Sequence, residues 1–309
     1  MGYSRWDATS YASTSASLRS TRDTALSMGK SADAARREVF RQTEVKLAFD
    51  PKGVALRESR DSELNPASTP IILGVDVSGS MGFTAEKIAI DQFGTLVEGI
   101  IGRAPVSDPH VMVMAIGDVT SDMAPLQVSQ FEADDRIVQQ LKDIWLEGRG
   151  GNNNYESYDL PWYFAAFRTS TDCFEKRGKR GYLFTMGDEM PPPARGLTAD
   201  EINRTFGLKE QHGINQADLL KAAQEKYNVF HIVIEEGSFC RGRGSQTVAN
   251  EWTKILGKKV ILLRNSDYLS QVILSVVQIN EGADPDEVIN SWQDDAIKAA
   301  VKHAVSLAG

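Results

Sequence analysis

From Pro70 onward, short apolar runs alternate along the chain with stretches of helical periodicity. The runs are IILGVDV (71–77), HVMVMAIG (110–117), the weaker APLQVSQF (124–131), GYLFTMG (181–187), NVFHIVIE (228–235) and KKVILLR (258–264). Most are apolar at every position instead of every second one, as in strands buried on both faces of a parallel sheet. Between them, helices are predicted over 84–102, where Ile88, Phe93, Leu96, Val97 and Ile100 recur at helical spacing, and over 133–145, 155–170, 215–227, 246–256 and 266–278. A terminal helix over 284–307 opens with Asp284-Pro285-Asp286-Glu287: a cap, a first-turn proline and first-turn acids. Strands alternating with helices imply an α/β fold, with a doubly wound, mostly parallel six-stranded sheet covered by helices on both faces. The six residues Asp118 to Met123 between the second and third runs are too few for a crossover helix, so these two strands should pair as an antiparallel hairpin.

The first 50 residues differ. They are rich in Ser, Thr, Ala and Arg with few large apolar groups, and such a segment buries too little to fold by itself. A helix over 31–42, docked on the body or on a partner, is the one element expected there. Turn signals at Asp50-Pro51-Lys52-Gly53 and Asn65-Pro66 mark a connector. The organisation read from these shifts is an arm and connector over 1–66, an α/β domain over 67–280, and a C-terminal helix over 281–309 packed on that domain or extending it.

With 34 Lys+Arg against 42 Asp+Glu among 309 residues, the net charge is −8, which disfavours a polyanion-coating role. Residues 1–60 hold 11 basic and 7 acidic side chains, so a basic arm precedes an acidic body. Cys173 and Cys240 stand alone, outside any zinc or disulfide pattern, and read as reduced thiols. The N-terminus lacks a signal-peptide core, and no run reaches the ~20 apolar residues of a membrane span. A soluble, cytoplasmic protein is expected.

The strongest local signal is Gly74-Val75-Asp76-Val77-Ser78-Gly79-Ser80-Met81-Gly82, leaving the carboxyl end of the first buried strand, where ligand sites of open α/β sheets form. Asp76, Ser78 and Ser80 present a carboxylate and two hydroxyls on alternate positions of a tight loop. Such hard oxygen donors suit Mg²⁺, which keeps several waters and takes few carboxylates. The same residues also read as a strand-to-helix turn in which Ser80 or Thr84 caps the next helix.

Asp76-Val77-Ser78-Gly79-Ser80 resembles the D-x-S-x-S of the metal-ion-dependent adhesion site (MIDAS) in von Willebrand factor A (vWA) domains, and the resemblance extends over residues 68–280. It implies a strand order of 3-2-1-4-5-6 with the third strand antiparallel. It further implies a cation, Mg²⁺ or in its place Mn²⁺ or Ca²⁺, held by Asp76, Ser78, Ser80, Asn152 or Asn153 in the position of the family's threonine, and Asp188 in Thr185-Met186-Gly187-Asp188-Glu189. An open position on that ion would take an Asp or Glu from a protein partner. Ser107-Asp108-Pro109-His110, Gly150-Gly151-Asn152 with Glu156-Ser157-Tyr158, and Trp162-Tyr163-Phe164-Ala165-Ala166 look like stand-alone bacterial and phage vWA proteins. That group implies a MoxR-type AAA+ ATPase, or its client, as partner, and a non-enzymatic adaptor role.

Two other function classes remain beside this one. A structural or assembly component would use the fold as a scaffold without divalent-ion dependence. A serine hydrolase with Ser80 as nucleophile would need a histidine after its last strand, yet none occurs between His231 and His303, and a serine replaces the first glycine of G-x-S-x-G. Arg241-Gly242-Arg243-Gly244 reads as a solvated loop, and nucleic-acid binding through it and the basic arm is disfavoured. His231, Trp162, Tyr163 and Phe164 read as core, and Asp118 and Asp122 as solvated loop acids.

Overall fold

All six apolar runs become strands of one sheet. The computed structural model describes residues 6–81, 83–134, 136–147 and 154–306. Its strands are β1 (Arg57–Ser59), β2 (Thr69–Asp76), β3 (Pro109–Ile116), β4 (Leu126–Val128), β5 (Thr169–Thr171), β6 (Gly181–Gly187), β7 (Tyr227–Ile234) and β8 (Val260–Leu263). The main sheet has the order β4-β3-β2-β6-β7-β8, and all its neighbours are parallel except β3 and β4. Counting the six runs alone, this is 3-2-1-4-5-6. It is the arrangement of a vWA/Rossmann-like fold, and the hairpin pairs Met114 with Val128 and Ile116 with Leu126. Strand order reverses between β2 and β6, so Asp76 and Gly187 end side by side, where a ligand crevice opens in such sheets.

Alternate residues of the central strands feed two cores. Ile71, Leu73 and Val75 pack with Leu96, Ile100, Ile273 and Val277 on one face, while Ile72, Met112, Met114 and Leu183 pack with Trp162, Phe164, Val248 and Trp252 on the other. Trp162, Tyr163 and Phe164 are therefore core residues. Cys173 and Cys240 are buried free thiols. Among the described residues, no helix is long and apolar enough to cross a membrane.

Several elements depart from the sequence pattern. The helix expected over 84–102 is interrupted: Phe83–Lys87 leads into a π-helical turn, Ile88–Gln92, before Phe93–Arg103 resumes. The Ser270 hydroxyl donates to the Gln92 carbonyl, and a side chain inserted in this way disturbs the backbone ladder. The terminal helix is two, Pro285–Asn290 and Asp295–Val305, because Asp294 caps the second with bonds from the Ala296 and Ile297 N–H groups. The arm, expected to be largely without structure, carries a 20-residue helix, Ala8–Ser27, besides Ala32–Val39. Docking supplies what its composition lacks: Leu18 and Ala25 are buried, Arg22 reaches Asp91 at 2.8 Å, and Trp6 donates to the Pro109 carbonyl at 2.8 Å. Arg241 and Arg243 lie in a helix, Ser238–Arg243, and not in a loop.

β1 and β5 form a separate two-stranded parallel sheet that no apolar run announced. Charge fastens it. Arg60 pairs with Glu58 (2.9 Å), Asp172 (2.9 Å) and Glu175 (2.5 Å), Lys176 with Asp172 (2.7 Å), and Arg177 with Asp61 (2.6 Å).

Candidate metal centre

The serine loop leaves β2 at the point of strand-order reversal, and three hydrogen bonds define its shape. The Ser78 N–H donates to Asp76 Oδ1 (2.8 Å), Ser78 Oγ and Ser80 Oγ share a bond of 3.0 Å, and Ser80 Oγ donates to Asp188 Oδ1 (2.6 Å). The Ser80 hydroxyl is thus directed to Asp188 and not to a helix N–H. Asp188 follows β6 and takes the Phe239 N–H on its other oxygen (2.8 Å), while Ser238 ties its N–H to the Ser80 carbonyl (3.1 Å). Asp76 and Asp188 are fully buried, but Ser80 is half-exposed and opens into a cavity of about 640 Å³ flanked by Arg22, Lys87, Glu236 and Arg241.

Two glycines make this close approach feasible. A Cβ on Gly187 would lie 2.0 Å from the Tyr158 hydroxyl and 2.7 Å from Asp76 Oδ2, and one on Gly237 would lie 2.3 Å from the Asp188 carboxylate. Tyr158 donates its hydroxyl to Asp76 Oδ2 at 2.6 Å, so each Asp76 oxygen accepts one bond.

Further carboxylates lie behind the loop. Asp118 is buried instead of solvated, and accepts from the Thr120 N–H (2.8 Å), the Thr120 hydroxyl (2.7 Å) and the Ser121 hydroxyl (3.0 Å). Glu156, 1% exposed, has no hydrogen-bond partner for either oxygen, and Glu189, 8% exposed, has none for Oε2 although it also reaches Ser80. Burial, reinforced by the Asp188 charge, raises Asp76 above the usual carboxylate range, and burial raises Asp188. Burial, then the charges of Asp76 and Glu189, raises Glu156, and burial with Asp76 and Asp188 pushes Glu189 up to about 8. No lysine or arginine among the described residues pairs with Asp76, Glu156, Asp188 or Glu189.

This donor set fits a hard divalent cation: two serine hydroxyls and two buried carboxylates that no lysine or arginine among the described residues pairs with. Among the described residues no three His, Cys, Asp or Glu side chains form a metal-gripping cluster on their own, so the hydroxyls are an essential part of the set. Of the six expected ligands, Asp76, Ser78, Ser80 and Asp188 come together. Asn152 and Asn153 lie outside the described residues, and the next residue, Asn154, is held by its carbonyl to the Met190 N–H (3.1 Å).

Two histidines bear on the hydrolase reading. His231 bonds Thr185 through Nδ1 (2.9 Å) and stacks on Trp252 (3.5 Å between ring centroids), and His303 meets Glu235 (3.2 Å), so neither activates Ser80. His231 is a core residue, but only half satisfied, since its Nε2 has no partner. Sequence reasoning assigned no role to Tyr158, Glu156 or Glu189. The only available signal was a polar triplet, Glu156-Ser157-Tyr158, running straight into the apolar LPWYFAAF, and an acid after Asp188.

No protein-family model and no curated protein matches this sequence. Among solved structures, the open conformation of the pilus adhesin SpaC from Lactobacillus rhamnosus GG aligns with a TM-score of 0.45 at 10% identity, covering 72% of this chain and 31% of the adhesin. A von Willebrand factor type A protein from Catenulispora acidiphila aligns with a TM-score of 0.39 at 14% identity, covering 71% of this chain and 44% of that one. The chain thus spans less than half the length of either structure it is similar to.

Proposed function

We propose that this chain is a non-enzymatic, vWA-type binding protein that holds a divalent cation at a MIDAS and uses it to capture a carboxylate of a partner protein. The observation that carries the reading is the chain of bonds Ser78–Ser80–Asp188, set beside buried carboxylates that no cationic side chain among the described residues pairs with. Ser78 and Ser80 would ligate through their hydroxyls, and Asp76 and Asp188 would supply the charge, with Tyr158 and the Phe239 N–H fixing their orientation. When bound, Mg²⁺ would act as an electrophile for an incoming Asp or Glu side chain. The half-exposed Ser80 and the adjoining cavity give such a side chain its approach. The sequence resemblance suggests a MoxR-type AAA+ ATPase, or its client, as the bearer of that carboxylate.

The test is co-purification from the native host in Mg²⁺ and in EDTA, with wild type and the Asp76→Ala/Ser78→Ala double variant. Partner capture in Mg²⁺ alone, lost in the double variant, supports the reading. Equal capture by the double variant in EDTA and by wild type in Mg²⁺ overturns it and favours a metal-independent scaffold.

A further inference from the structure

We propose a second cation site, behind the serine loop, in which the carboxylates of Glu156 and Glu189 hold a hard divalent ion, Ca²⁺ by preference. Tyr155 and Met190 form a parallel bridge, which brings together the two segments that carry Glu156 and Glu189. Both side chains are more than nine-tenths buried, and three of their four oxygens have no hydrogen-bond partner.

Buried polar atoms in folded proteins nearly always have a partner, and a bare buried carboxylate is among the costliest groups to leave unmatched. Protonation alone does not resolve the deficit. Even when shared with Glu189 Oε2, a proton on Glu156 leaves its other oxygen without a donor among the described residues. A cation satisfies both oxygens and the charge together. Charge balance points the same way: Asp76 and Asp188 match one divalent ion, and Glu156 and Glu189 match another, while Asp118 is already satisfied by Thr120 and Ser121. Ca²⁺ suits the closed position better than Mg²⁺, because it accepts carboxylate and carbonyl oxygens in irregular geometry and gives up water more readily.

Ions bound per chain, counted by equilibrium dialysis against Ca²⁺ with elemental analysis, test this directly. Wild type is expected to bind two, Ser78→Ala to lose the ion at the serine loop and keep the other, and Glu156→Gln to fall from two to one while keeping Mg²⁺-dependent partner capture. Circular dichroism melting in EDTA checks that each variant folds, and Glu189→Gln is the second variant should Glu156→Gln not fold. A wild-type count of one that Glu156→Gln leaves unchanged overturns the second site and leaves the function proposed above intact. A wild-type Ca²⁺ count of zero likewise overturns the second site, and the capture experiment in Mg²⁺ decides the first.

Discussion

Two clusters of acidic side chains, built from the same residue types, behave in opposite ways. At the β1–β5 clamp, Glu58, Asp61, Asp172 and Glu175 meet Arg60, Lys176 and Arg177. Burial would push Asp172 up, but the Lys176 ammonium, the Asp61 N–H and Arg60 outweigh it and bring the carboxyl down to about 2. At the strand ends Asp76, Asp188, Glu156 and Glu189 have no such cations among the described residues, and burial drives all four up. Paired acids fasten one segment to another. Unpaired buried acids are destabilising by themselves, and must be held in place by the rest of the fold. The clamp therefore spends its charges on stability, whereas the charges at the strand ends are those that the proposed cation would match.

The largest expected effect separates the clusters by metal. At Mg²⁺ one hundred times above its Kd, the free energy of unfolding in urea should rise by about 2.7 kcal/mol, and Asp76→Asn should abolish the increment. In EDTA the same variant should be no less stable than wild type, because one like charge has left a buried cluster. A loss in EDTA would show that Asp76 stabilises the fold as a clamp acid does.

The next effect in size lies at the clamp. Asp172→Ala should cost on the order of 2 kcal/mol with or without Mg²⁺, since it strips partners from Lys176, Arg60 and the Asp61 N–H. Urea midpoints that differ between the two conditions would tie the clamp to the metal. A smaller effect follows from pH. Because the folded Asp172 carboxyl titrates below its unfolded value near 3.8, its contribution is complete above about pH 4 and is lost as the pH falls toward 2. With its partners partly in solvent, this amounts to on the order of 1 kcal/mol, and Asp172→Asn should flatten that part of the acid-denaturation curve. Smallest is Arg22→Ala, which breaks the pair with Asp91 and should cost about 0.5 kcal/mol in a urea titration.

The β2 and β6 strands were legible in the sequence because residues such as Ile71–Val75 and Tyr182–Phe184 are apolar without interruption. The hairpin followed from the shortness of the 118–123 link. Asp76, Ser78 and Ser80 could be named because they alternate hard oxygen donors in the turn that leaves the first buried strand, and Asp188 because the resemblance to vWA domains implies an aspartate after the fourth. The Ala8–Ser27 helix could not be read, since its Ser- and Thr-rich sequence has little tendency to fold until Leu18 and Ala25 find the body. Nor could Tyr158 or Glu156, whose burial is set by neighbours on other elements.

What the sequence by itself determined was the strands of the sheet and the loop that leaves the first of them, because hydrophobic periodicity is a local property that maps directly onto strands and helices; the order of the strands, with its reversal, came from the resemblance to vWA domains. Only the tertiary structure decided which acids are neutralised and which are left bare. Charge pairing depends on distance through space, and the contacts that settle it here join residues far apart in the chain: Tyr158 with Asp76 across 82 positions, Ser80 with Asp188 across 108, and Arg60 with Asp172 across 112.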